Sequence, residues 1–138
     1  MLEALQEEKV IEKLREKGYE PVIYVYGMSE PPVSIASAAL FGIFAMNKPK
    51  PFILNFSDKG IAFLELVPGC KSYTGFHNFI SSENIKILSL KKGMLINTLT
   101  ILTKDDNKQK IKISNSTLGT NWQKNNVMKM IEFVQSYK

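Results

Sequence analysis

The chain carries one cysteine and one histidine among its 138 residues. With Cys70 alone, no intrachain disulfide can form, which suits a reducing compartment. With His77 alone, any catalytic triad or histidine-based metal site must be built around that ring. Cys70 lies seven residues before it, so a Cys–His pair is open on spacing. Nucleophilic catalysis also needs an orienting group and an oxyanion donor, and nothing in the pattern points to either. The two read as a loop thiol and a strand-edge residue.

Other chemical signatures are missing too. Glu65 and Glu83 are the plainest mid-chain carboxylates, but spacing alone does not pair them. Asp105-Asp106-Asn107 lacks the alternating ligands and closing glutamate of a calcium loop and reads as a hairpin turn. TLGTN at 117–121 has no following Lys-Ser/Thr, so it is not a P-loop, and no dinucleotide fingerprint is present. The expectation is a chain with no catalytic, cofactor-binding or metal-ligating residues, and not an enzyme.

No apolar run is long enough to span a bilayer. The longest, VSIASAALFGIFAM at 33–46, has 14 residues, whereas a spanning helix needs about 20. It is expected to be a short helix or helical turn tucked over an open edge of a sheet. Its Leu40, Phe41 and Phe44 are candidates for self-association. The opening MLEALQEEKVIEKLREKGYE lacks the basic start, apolar centre and cleavage site of a secretory signal, so a cytoplasmic location is expected. NFS at Asn55 and NST at Asn115 then read as chance matches to the glycosylation pattern.

Charge is unevenly placed. Residues 1–20 hold six acids and four basic residues, and 21–85 are balanced. Residues 86–138 hold ten lysines and three acids, a net of +7. Such a bias favours an acidic partner; it also describes an ordinary solvated lysine surface.

Along the chain, residues 2–17 read as a helix stopped by Gly18. Its apolar positions Leu2, Leu5, Val10, Ile11 and Leu14 make no clean stripe, which suggests loose docking or packing on a second subunit. PVIYVYGM at 21–28 reads as a strand, and SEPP breaks it. PFILNF and GIAFLEL read as two strands joined by a turn at Ser57–Gly60. VPGCKSYTG at 67–75 reads as a loop or weak edge strand. FHNFI, ENIKILSL, LINTLTILT and KQKIKIS form a meander. In the last, Ile111 and Ile113 alternate with Lys110 and Lys112, giving one core face and one basic face. Several short strands at this spacing indicate a curled sheet. Thr120-Asn121-Trp122-Gln123 fits a capping box, ahead of Val127, Met130, Ile131 and Val134 at helical spacing. Trp122 and these four are expected against the sheet.

The sequence resembles the short pleckstrin-homology-like (PH/GRAM-like) domains of bacteria. PFILNFSDKGIAFLEL at 51–66 is similar to the family's hairpin. FHNFISSENIKILSLKKGMLINTLTILTKDDNKQKIKIS at 76–114 resembles its second half, and LGTNWQKNNVMKMIEFV at 118–134 its closing helix. The resemblance covers about residues 50–137. It implies an α+β fold that is mainly β: a curled antiparallel sheet or partly open barrel closed by a C-terminal helix, with an added N-terminal helix. The expected domains are a helical extension at 1–20 and a single PH-like domain at 21–138. It further implies a non-catalytic module that binds lipid headgroups, peptides or proteins. Phosphoinositide-binding members use a basic first hairpin loop; that loop, near 28–50, offers only Lys48 and Lys50, so no headgroup site is carried over.

The expected function is protein binding or homo-oligomeric assembly. The alternative is peripheral binding of anionic membrane through Lys86, Lys104, Lys108, Lys110 and Lys112. Nucleic-acid binding is not expected: Phe52, Phe56, Phe63 and Phe79 sit in apolar strands rather than on a stacking platform, and no RNP-type segment is present.

Overall fold

The computed structural model describes residues 3–30, 49–117 and 120–137. The segment 33–46, with Leu40, Phe41 and Phe44, lies outside the described residues.

Among the described residues, seven antiparallel strands form one curled, unclosed sheet. They are β1 (Ile23–Ser29), β2 (Lys50–Ser57), β3 (Gly60–Leu66), β4 (Tyr73–Ser81), β5 (Ile85–Lys91), β6 (Ile96–Thr103) and β7 (Lys108–Ser114). Their order across the sheet is β4-β3-β2-β1-β7-β6-β5. The N-terminal helix α1 spans Glu7–Glu16 and the C-terminal helix α2 spans Gln123–Gln135. The Ser57–Gly60 turn falls where the sequence places it, with those two residues paired. Residues 67–75, read as a loop or weak edge strand, divide: Tyr73–Gly75 belong to the edge strand β4 and the rest connect it to β3. Tyr73 to Ser81 run as one strand, because Tyr73 continues the pairing with Leu66 across a bulge.

The inner face of the sheet carries Val25, Phe52, Leu54, Phe56, Ile61, Phe63, Leu99, Ile101, Ile111 and Ile113. Val127, Met130 and Val134 of α2 close over them. Each such side chain contributes roughly 1.5–3 kcal/mol of transfer free energy. Ile131 is only half-buried at the margin of this core.

Two expectations about the helices are corrected. α1 is not loosely docked: Val10 and Leu14 are fully buried. They pack with Ala4, Leu5, Ile53, Leu64, Leu66 and Cys70 on the outer face of β2 and β3. The apolar stripe looked broken because the chain itself breaks. Glu3–Leu5 is a separate 3-10 turn, and extended Gln6 resets the phase before α1 begins.

The capping box is not formed. Thr120 donates to the Thr117 carbonyl at 2.9 Å, and no side chain caps α2. Gln123 turns instead into the sheet. Trp122 is buried, but not in the inner core. It packs under the N-terminal segment, and its indole N–H donates to the Leu5 carbonyl at 2.8 Å.

The seam between β1 and β7 is where the sheet curls. The two strands pair only at Met28–Lys112 and Ser29–Ile111 and then diverge. In an antiparallel ladder alternate residues turn their peptide groups away from one neighbour. Tyr26, opposite Ile53 of β2, turns its own toward the widening gap. The Gln123 amide fills that gap: it accepts from Tyr26 N–H at 2.9 Å. It also donates to the carbonyls of Tyr26 at 2.9 Å and Ser114 at 3.0 Å. One helical turn on, Asn126 donates to the Tyr24 carbonyl at 2.9 Å.

Candidate functional site

The covering of the sheet is one-sided. β2 and β3 have α1 on their outer face, whereas on the outer face of β5 and β7 the side chains of Ile87, Ser89, Lys91, Lys108, Lys110 and Lys112 are exposed. On β7 that face presents Lys108, Lys110 and Lys112, alternating with buried Gln109, Ile111 and Ile113. The register sets Lys108 opposite Leu102, Lys110 opposite Thr100 and Lys112 opposite Thr98. Beyond β6 the same rows continue as Ile87, Ser89 and Lys91 on β5. Neighbouring strands are about 4.8 Å apart, so Lys91 and Lys112 flank Thr98 at roughly 10 Å from each other. On this face Glu30 lies 3.8 Å from Lys112.

The sequence-predicted lysines therefore divide. Lys108, Lys110 and Lys112 form one row. Lys86, near the start of β5, and Lys104, just after β6, lie instead beside the β6–β7 turn, where the charge is mixed. Lys86 pairs with Asp106 at 3.4 Å, and the Lys104 backbone N–H donates to the Asn84 carbonyl at 2.9 Å.

Sequence reasoning missed the other end of this face. Between β5 and β6 the chain runs Lys91-Lys92-Gly93-Met94-Leu95-Ile96. Met94 is 93% exposed, Leu95 73% and Ile96 49%. The turn is tight: a Cβ on Gly93 would stand 2.1 Å from the Ile96 carbonyl oxygen, so only glycine fits. Asn115 holds it in place. Its backbone N–H donates to the Leu95 carbonyl at 2.9 Å, and its side-chain amide to the Met94 carbonyl at 3.0 Å. Asn97, buried behind the turn, donates to Asn115 Oδ1 at 2.7 Å. The signal in the sequence was three consecutive apolar residues beside a turn glycine, where polar ones are usual.

On the opposite side, a groove of about 480 Å³ is lined by Tyr19, Val22, Asn55, Ala62, Asp58, Lys59 and Phe79 among others. Tyr19 stacks on Phe79 at 5.8 Å, and its hydroxyl lies 2.8 Å from His77 Nδ1. Burial raises the Tyr19 hydroxyl pKa above its ordinary value. His77 and Cys70 thus have separate partners: the Cys70 thiol lies against the Tyr26 hydroxyl at 3.6 Å, beneath α1. Glu65 is buried and accepts from Thr74 Oγ1 at 3.0 Å, while Glu83 is exposed. Among the described residues no three His, Cys, Asp or Glu side chains cluster as metal ligands. Among them, too, no helix is long and apolar enough to cross a membrane.

The fold is PH-like. Seven antiparallel strands in the order 4-3-2-1-7-6-5 form the curled sheet, and a C-terminal helix lies over its inner face. A solved structure similar to this chain is the pleckstrin homology (PH) domain of USP37. It shows 13% identity, a TM-score of 0.46, and coverage of 84% of this chain and 96% of that one. No family model and no curated protein matches the sequence.

Proposed function

We propose that this PH-like chain is a non-catalytic binding module that docks peripherally on anionic membrane surfaces through the outer face of β5–β7. The observation that carries this is the row Lys108, Lys110 and Lys112, with Lys91 across β6, all exposed on one sheet face. Near an anionic leaflet each lysine contributes about 1 kcal/mol. Reversing Lys108, Lys110 and Lys112 to glutamate together therefore removes at least about 3 kcal/mol, more than a hundredfold in affinity. Sedimentation with phosphatidylserine vesicles tests it. Wild type should bind at about 10 mM salt and be released at about 1 M, where the screening length falls from roughly 30 Å to 3 Å. The triple variant should not bind at low salt. Binding that survives high salt would overturn the reading.

Protein binding or self-association is the second reading. Val22 and Phe79, both exposed beside the groove of about 480 Å³, favour it. The segment carrying Leu40, Phe41 and Phe44 would add to such a contact. A light-scattering mass above that of one chain, lost in the Phe79→Ser variant, supports this reading over the first.

A further inference from the structure

We propose that the β5–β6 turn is a wedge: Met94, Leu95 and Ile96 enter the acyl boundary of the bilayer while the lysines behind them hold the headgroups. This rests on the anionic-surface reading of the β5–β7 face and names the element that penetrates.

Position is the first argument. Ile96 shares the outer face with Thr98, Thr100 and Leu102, because side chains alternate along β6. One cross-strand row behind it come Lys91, Thr98 and Lys112. Lys92 sits in the turn itself and is exposed. Apolar residues thus stand outermost with positive charges behind them, matching acyl chains that lie beneath headgroups in a docked arrangement.

Backbone chemistry is the second. Peptide groups carried into an apolar layer must keep their hydrogen bonds. The Met94 and Leu95 carbonyls are already bonded by Asn115, which Asn97 holds from behind. The same bonds keep the two side chains pointing outward, so little order is lost on docking.

Shape separates lipid from protein as the occupant. A stable protein interface buries about 800 Å² on each side. Three side chains on a convex hairpin end cannot supply that area, whereas a bilayer closes around any protrusion. The lysines select the anionic leaflet by charge complementarity.

The experiment uses the full chain and phosphatidylcholine vesicles with and without phosphatidylserine. A Leu95→Cys variant carries an environment-sensitive dye; buried Cys70 serves as the labelling control in wild type. The dye should shift to the blue on vesicles containing phosphatidylserine and stay unchanged on phosphatidylcholine alone. Met94→Ser/Leu95→Ser should bind those vesicles at least about tenfold more weakly, with an unaltered thermal melt because neither side chain is packed. Wild-type binding with no dye shift, and with the double variant binding equally, overturns the wedge and leaves the lysine face standing. No wild-type binding at low salt overturns both. A wild-type dimer that the double variant converts to monomer also overturns the wedge, by making the turn a subunit contact.

Discussion

Replacing Gln123 by alanine is the sharpest test of how the sheet is held where it curls. The side chain is fully buried and makes three hydrogen bonds, to both peptide groups of Tyr26 and to the Ser114 carbonyl. Truncation leaves one N–H and two carbonyls facing a hole. An orphaned buried polar group costs about 1–3 kcal/mol, and water entering the hole recovers part of that. A net loss of about 3–5 kcal/mol is expected, a large share of the roughly 5–15 kcal/mol that holds a domain together. At a few degrees per kcal/mol for a domain this size, the melting point should fall by roughly 10–20 °C. Urea unfolding gives the same quantity, with an unchanged slope if the denatured state is unaffected. Gln123→Met fills the space without the bonds and should still lose most of the stability. Gln123→Glu keeps the acceptor for Tyr26 N–H but turns a carboxylate toward two carbonyls. That raises the new carboxyl's folded pKa above its unfolded value, so the variant should regain stability as pH falls through the raised pKa. If alanine costs less than about 1 kcal/mol, or methionine nothing, the amide does not close the seam.

Three further outcomes follow from burial. Met130→Ala should cost about 2–5 kcal/mol, and Ile131→Ala about 1–2, because Met130 is fully buried and Ile131 only half; urea midpoints in the reverse order would show a differently rotated α2. Leu14→Ala should also cost about 2–5 kcal/mol and shift Trp122 emission to the red, since both belong to the cluster under α1; unchanged emission would mean that α1 does not cover the indole. All five tyrosine hydroxyls have raised pKa values through burial. Tyr24 is pushed to about 12 by burial first and by its bond to the Glu7 carboxylate second. A raised tyrosine pKa means the fold favours the neutral phenol. Its contribution is complete below the ordinary value near 10 and disappears as pH climbs through about 12. Phenolate absorbance should therefore rise together with loss of circular dichroism above pH 10, and independent titration near 10 with the fold intact would contradict the burial.

What the sequence made legible was whatever depends on near neighbours. β7 was readable because one of its faces is wet, so isoleucine and lysine alternate. β2 and β3 were readable as strands from their apolar runs. A strand apolar at successive positions is buried on both faces, which demands a covering element, and α1 is that element. Its stripe was obscured by the reset at Gln6. Gln123 was misread because a local rule, the capping box, fitted the spacing, while its actual partner Tyr26 is 97 positions away. The exposure of Met94 and Leu95 was not legible, because it depends on where Asn115, 21 positions beyond Met94, pins the backbone.

The placement of α1 decides which part of the molecule is left to bind. A curled sheet has one inner face, which α2 fills, and a long outer face that a single ten-residue helix cannot cover. α1 takes the outer face at β2 and β3, where Ile53, Leu64 and Leu66 require apolar cover. The outer face at β5–β7 carries mostly Lys108, Lys110, Lys112, Thr98, Thr100 and Ser89 instead, with Ile87 and Leu102 in one row. The covering segment is net acidic, six acids to four basic residues in 1–20, and the C-terminal third is net +7. Charge and cover are thus segregated to different parts of one sheet. On the proposed reading, this segregation orients the molecule on an anionic surface with the β5–β7 face leading. The same residue choices fold the sheet and segregate the charge: with no described helix over it, this face is kept in water by a majority of Lys, Thr and Ser beside Ile87, Ile96 and Leu102.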